Sequence, residues 1–182
     1  MGLAIVHSRA RVGVRAPEVR VEVHLAGGLP AMSIVGLPEA AVREAKDRVR
    51  AAIQCAQFEF PARRITINLA PADLPKDGGR FDLAIALGIL AASGQLSTAA
   101  LEGWEFLGEL ALTGEIRPVD GVLAAAIAAG EAGRQLLVAP GNGAEAALAS
   151  TVEVRTARTL LEVCAALDGR KSLPLAEAPP PQ

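Results

Sequence analysis

"RRITINLAPADLPKDGGRFDLAIALGILAASG", Arg63 to Gly94, decides how this chain folds. Its first part alternates. Ile65, Ile67 and Leu69 interleave with Thr66 and Asn68, the period of a half-buried strand. Its last part, from about Phe81 to Ser93, is apolar almost all round, which predicts a helix buried under a sheet. Between them the loop "LPKDGGRFD" gathers Lys76, Asp77, Gly78, Gly79, Arg80 and Asp82. Strand, glycine turn and buried helix in succession point to an α/β domain.

Upstream, Leu3 to Val6 is a short apolar run, and Val19, Val21, Val23 and Leu25 alternate with Arg20, Glu22 and His24. "AGGLP" breaks that strand and "MSIVG" reads as another, so the start is expected to be an antiparallel meander. "LPEAAVREAKDRVRAAIQCAQF" then carries Val42, Ala45, Val49, Ala52, Ile53 and Ala56 at helical spacing. Pro38 suits its first turn, Glu39 complements the dipole, and Glu39–Arg43 and Glu44–Arg48 are favourable pairs one turn apart.

Downstream, "WEFLGELALTGEIRPV" predicts a hairpin turning at Thr113-Gly114. "DGVLAAAIAAGEAG" predicts a second buried helix with Asp120 near its cap. "RQLLVAP" and "VEVRT" read as strands, "GNGAEAALAS" and "ARTLLEVCAAL" as helices. The fold class expected is two-layer α/β with a mixed sheet. Residues 1–168 form the domain, and the Pro-rich stretch 169–182 reads as a linker.

The chain has 182 residues and is 51% hydrophobic, but only 3% aromatic, so its core is built from Val, Ile, Leu and Ala. A net charge of −2 argues against a strongly basic, free-standing nucleic-acid binder. Cys55 and Cys164 lie in alanine-rich helical contexts and read as core residues, with no disulfide framework. The N-terminus lacks the pattern of a signal peptide, and "FDLAIALGILAASG" is too short to span a bilayer. These features predict a cytoplasmic chain with no membrane partner.

Two readings of the Lys76–Arg80 loop stay open on residues alone. Gly78 and Gly79 precede a helix N-terminus, where an anion can bind. Alternatively the glycines make a turn and Asp77 or Asp82 caps the helix. A Walker A pattern, Gly-x-x-x-x-Gly-Lys-Ser/Thr, is absent from the sequence. His7 and His24 lack the company a zinc site needs, so no metal is expected. A Ser-His-Asp triad has no Gly-x-Ser-x-Gly elbow. Arg9 and Arg11 would share a strand face, and Arg63 and Arg64 open another. With Lys76 and Arg80 they are candidate DNA or subunit contacts, the alternative being a plain solvated surface. Little aromatic interleaving is present to stack bases.

The blocks "LAIVHSRARVGVRAPEVRVEVHLAGGLPAMSIVGLPEAAVREAKDRVRAAI" and "FEFPARRITINLAPADLPKDGGRFDLAIALGILAASG" resemble the N-terminal domain of the ComM/YifB family of magnesium-chelatase-like AAA+ ATPases. The resemblance runs from Leu3 to about Leu167. It implies a Lon-protease-like fold, also described as ribosomal-protein domain-2-like, ahead of an AAA+ motor in the full-length protein. ATP and Mg2+ are then expected in that motor, with no cofactor in this chain. The family resemblance further implies a homo-hexamer that drives DNA branch migration during natural transformation. The AAA+ domain of the same polypeptide and DNA are the partners it suggests.

In active Lon-type proteases the equivalent loop reads Lys-Asp-Gly-Pro-Ser-Ala-Gly. Lys76, Asp77 and Gly78 match it, Gly79 replaces the proline, and Arg80 stands where the serine would. The dyad lysine would fall in Val122 to Ala126, where the sequence has none. An arginine neither attacks nor accepts a proton. The resemblance therefore implies no catalytic residue here and a degenerate protease loop, Lys76 to Arg80, kept as a turn. The function expected is a non-catalytic assembly or DNA-guiding domain. The alternatives are a stand-alone nucleic-acid-binding module and an active Ser/Lys peptidase.

Overall fold

The computed structural model describes residues 2–76 and 79–180. Asp77 and Gly78 of the loop singled out above lie outside the described residues. The N-terminal half consists of β1 (Leu3–Arg9), β2 (Glu18–Ala26), β3 (Ala31–Val35), α1 (Glu39–Cys55), β4 (Arg64–Ala70) and α2 (Asp82–Ala92). The C-terminal half adds β5 (Trp104–Phe106), a small hairpin of β6 (Glu109–Leu110) and β7 (Ile116–Arg117), and α3 (Val122–Glu131). It closes with β8 (Gln135–Val138), α4 (Gly143–Ala146), β9 (Val154–Thr156) and α5 (Leu160–Leu167).

Seven strands form one mixed sheet in the order β3-β4-β2-β1-β5-β8-β9. β2 is antiparallel to both its neighbours, and every other pairing is parallel. β2 alone therefore runs against the rest. The antiparallel meander expected from the sequence holds for β1 and β2 only. β3 does not fold back on β2; it crosses to the sheet edge and pairs in parallel with β4, Ile34 opposite Ile67, with α1 as the connection. Parallel neighbours need such a crossover, and 17 helical residues supply it.

The alternation read in β2 and β4 is what the sheet uses. Val19, Val21, Val23, Ile65, Ile67 and Leu69 are buried beneath the helices, and the residues between them face outward. α2 lies directly on this face and is buried along its entire length, as its all-round apolar sequence predicts. Each of its leucines and isoleucines contributes roughly 1.5–3 kcal/mol by burial. Gly88 permits the close approach: a Cβ there would come within 2.5 Å of Val23 Cγ2. α1 covers the neighbouring strands through Ala45, Val49, Ala52 and Ile53, four of the six residues of the predicted stripe, with Ala56 buried just beyond its end.

The two-layer plan describes the β3-β4-β2-β1 half. β8 is covered on both sides: Leu137 belongs to the main core with α2 and α5, Leu136 and Val138 to a second core with α3 and α4. α3 buries only Val122, Ala125, Ala126 and Ala129, and leaves Ile127 exposed, so it is a one-sided helix rather than a fully buried one. The predicted hairpin is shorter than its sequence block: β6 and β7 form it, whereas β5 pairs with β1 and β8 in the main sheet. Cys164 is buried as expected, and burial pushes its thiol up to about 12. Cys55 is exposed, because it falls off the apolar stripe at the last residue of α1. In the stretch read as linker, Leu173 is buried, and Pro174 to Ala176 exchange backbone hydrogen bonds with β9.

Candidate functional site

Six parallel strands end on one side of the molecule, and the loops that follow them meet there. In open α/β sheets this carboxyl edge is where ligands bind. The buried polar side chains collect at this end: Ser8, Arg9, Lys76, Arg80, Asp82, Glu105 and Asn142. Each has a partner, as buried polar groups require.

Arg9, at the end of β1, forks onto Glu105 of β5 at 2.7 and 2.8 Å. Its remaining donors reach Ala16 O and Ala128 O, and Arg134 completes the Glu105 carboxylate at 3.1 Å. Arg134 also holds Glu18. Arg9, named among the candidate contacts, is thus a buried cation whose guanidinium is turned inward onto Glu105. Its partner lies 96 residues along the chain, so no local pattern marks it.

Asp82 opens α2. It does not cap the helix; its carboxylate accepts from Arg48 Nε at 2.6 Å and from Leu110 N at 3.1 Å. It therefore ties α1, α2 and β6 together. Burial pushes this carboxyl up to about 6, against the pull of Arg48 and the Leu110 N–H.

Arg80 is buried one turn before α2. Its Nε donates to Arg9 O at 2.9 Å and its Nη1 to Asp120 O at 3.0 Å. It bridges the ends of β1 and the approach to α3, so its guanidinium serves backbone carbonyls. Lys76 is likewise turned inward, donating to Pro71 O and Leu74 O at 2.6 and 3.2 Å. Burial lowers its ammonium below the usual lysine value. Gly79 packs closely under two side chains: a Cβ there would stand 2.5 Å from Glu109 Oε1 and 2.9 Å from Arg48 Nη2, so both would have to shift to admit one.

Above Arg80 lies a cleft of about 250 Å³ lined by Arg11, Gly79, Arg80, Glu109, Pro118, Val119 and Asp120. Among these described residues none carries a hydroxyl, a thiol or an amine. Val119 is fixed from behind by Asn142, which accepts from its N–H and donates to its carbonyl, both at 2.9 Å. Arg11 is half-exposed and stands 3.6 Å from Asp120, itself almost fully exposed. Among the described residues no group of three or more His, Cys, Asp or Glu is placed to hold a metal.

The single positive patch expected from the sequence is divided. Arg64 opens β4 opposite Ala26, the far end of β2, whereas Arg9 lies opposite Glu18, its near end. Exposed Arg63 and Arg64 thus sit at the opposite edge of the sheet, about 26 Å along the strands from the Arg9 end at ~3.3 Å per strand residue.

One element at the cleft end was not singled out in the sequence. Residues 10–17 form a tight hairpin. Val12 and Arg15 exchange both backbone hydrogen bonds at 2.9 Å, and Ala10 N donates to Pro17 O at 3.0 Å. Gly13 has φ of 62°, as a two-residue turn with glycine first demands. The signal was Val-Gly-Val-Arg itself, a glycine turn between two β-branched residues.

Comparison with known proteins places this architecture. The model for subunit ChlI of Mg-chelatase matches residues 21–142. Competence protein ComM of Haemophilus influenzae is 57% identical over 176 residues, covering 97% of this chain and 35% of the relative. YifB of Salmonella typhimurium is 54% identical over 179 residues, again 97% of this chain and 35% of the relative. YifB of Escherichia coli is 51% identical over 173 residues, 95% of this chain and 34% of the relative. The chain spans about a third of the length of these relatives, 35% in the first two. With a mixed α/β sheet of the kind the resemblance implies, a family model matching residues 21–142 and identities of 51–57% over nearly the whole chain, the chain belongs to the magnesium-chelatase subunit ChlI family as a ComM/YifB-type member.

Proposed function

We propose that this chain is the non-catalytic assembly or DNA-guiding domain of a ComM-type AAA+ ATPase whose whole form is a homo-hexameric, ATP-dependent branch-migration helicase. The observation that carries the reading is Arg80. It occupies the position the Lon resemblance gives to the nucleophile, is buried, and donates to Arg9 O and Asp120 O. A guanidinium holding carbonyls is a strut; it has no acceptor for a proton. The lysines do not fit a phosphate loop either: Lys46 follows alanine, Lys76 proline and Lys171 arginine, where a Walker A lysine follows glycine. ATP and Mg2+ therefore belong, in this proposal, to the AAA+ part of the whole protein, in the cytoplasm.

Two assays test it. The chain by itself turns over no ATP, while the whole protein does; turnover by the chain would reject the proposal. Casein incubated with the chain stays intact. Cleavage that disappeared in Ser93→Ala or Ser97→Ala would establish a peptidase instead. DNA binding by a single copy is weak and becomes strong in a ring, where several weak contacts act on one molecule.

A further inference from the structure

We propose that the tip of the hairpin 10–17 is a DNA contact directed at exposed bases, with Arg11 and Arg15 on backbone phosphates and Val14 against a base face. The proposal rests on the DNA-guiding reading and names the site and substrate form for it.

Three observations carry it. Val14 is 92% exposed, the most exposed of the large apolar side chains described. A lone exposed valine on a loose loop needs no explanation. This one stands on a rigid mount. Its root residues Ala10 and Ala16 are buried, and the buried Arg9 guanidinium, anchored on Glu105, donates to Ala16 O at 3.0 Å. The backbone bonds between Val12 and Arg15 leave the tip little freedom.

The second observation is charge. Arg11 and Arg15 flank the tip and are both exposed. Among the described residues Arg11 is paired with Asp120, at 3.6 Å in an exposed setting, and such a pair is weak enough for a phosphate to replace it. The third is the tip's chemistry. Valine has no hydrogen-bonding group, so it reads no base edge. An apolar side chain between two phosphate-binding cations is the arrangement of a wedge at unstacked bases. Base faces are covered in a closed duplex and open in single strands and at forks. The partner is therefore single-stranded or branched DNA rather than blunt duplex.

The test is a titration of the isotope-labelled chain with a short forked DNA and with the blunt duplex of the same sequence, followed by backbone amide resonances. This readout detects weak binding by a single copy. Amides 11–15 are expected to shift, more with the fork than with the duplex. Arg11→Ala with Arg15→Ala should lower the salt slope of binding by about 1.4–1.8, at ~0.7 per single-strand and ~0.9 per duplex phosphate contact. Val14→Ser should erase the preference for the fork while leaving the slope unchanged. Neither change touches the buried root, and an unaltered amide spectrum without DNA verifies the fold. Shifts confined to the Arg63–Arg64 end would overturn this site but leave a DNA-guiding domain. Absence of shifts anywhere with either DNA would overturn both. Unchanged DNA shifts together with an altered self-association of the Val14 variant would reassign the tip to a protein contact and overturn the proposal.

Discussion

The two ends of the sheet are built on opposite principles. At the amino edge of β4, Arg63 and Arg64 stand in solvent beside the exposed loop Gly27 to Pro30. At the carboxyl edge, Arg9, Arg80, Asp82 and Glu105 are buried and hydrogen-bonded, several of them to backbone carbonyls. Exposed charges cost almost nothing and fix nothing. Buried ones cost several kcal/mol each to desolvate and persist only where their geometry is satisfied. The end that carries this expense is the end where the loops must be held in register, and it is where the cleft and the rigid hairpin lie.

The largest effect that sharpens this contrast is expected from Glu105→Ala. It leaves the buried Arg9 guanidinium without its carboxylate and takes from Arg134 one of its two, and removing one partner of a buried pair costs about 3–5 kcal/mol. Urea denaturation should show it as a lower midpoint. Arg80→Ala comes next. It frees two carbonyls of their donor and opens space above the sheet, for a loss of about 2–3 kcal/mol. Asn142→Ala, which removes both clamps on Val119, should cost about 1–3 kcal/mol by the same measurement. At the other end, Arg63→Ala with Arg64→Ala should stay within about 0.5 kcal/mol of the parent. A loss there as large as that at Glu105 would break the comparison.

The same buried end should also show a pH effect. Asp82 is raised from 3.8 to about 6 by burial. Between these values the folded form binds more protons than the unfolded one, so this group's contribution to stability falls as pH rises through the window and levels off above about 6. Carboxyl carbon resonances should place its midpoint near 6, and Asp82→Asn should flatten that part of the stability profile. A midpoint near 3.8, the ordinary value, would show that Arg48 and the Leu110 N–H fully offset burial.

Much of the fold was legible because it is written in local periodicity. The alternation of Val19 to Leu25 and the unbroken apolarity of Leu83 to Ala92 dictate one-sided strand and buried helix without reference to anything distant. The place of β3 was not legible. Five residues contain no information on which neighbour they pair with, and its parallel pairing with β4 comes with α1 as the crossover that joins them. The site was half legible for a similar reason. The loop residues Lys76 to Arg80 stand out by composition, yet whether an arginine is a strut or a surface charge depends on a partner far along the chain. Arg9 and Arg63 look alike in sequence and differ only because Glu105 arrives beside one of them. The left-handed turn at Gly13 was readable in principle, since a glycine between valines is an uncommon strand residue.

The C-terminal segment carries a mechanical consequence. Pro174 O accepts from Thr156 N at 3.2 Å, and Ala176 N donates to Val154 O at 2.8 Å, so the tail lies along β9 as one more ribbon of the sheet. Tension applied to it is borne in shear by these bonds together and passes into β9. Force drawn along residues 174–176 is thus carried by backbone hydrogen bonds into the sheet of which β1, the strand that leads into the Val14 hairpin, is also a part.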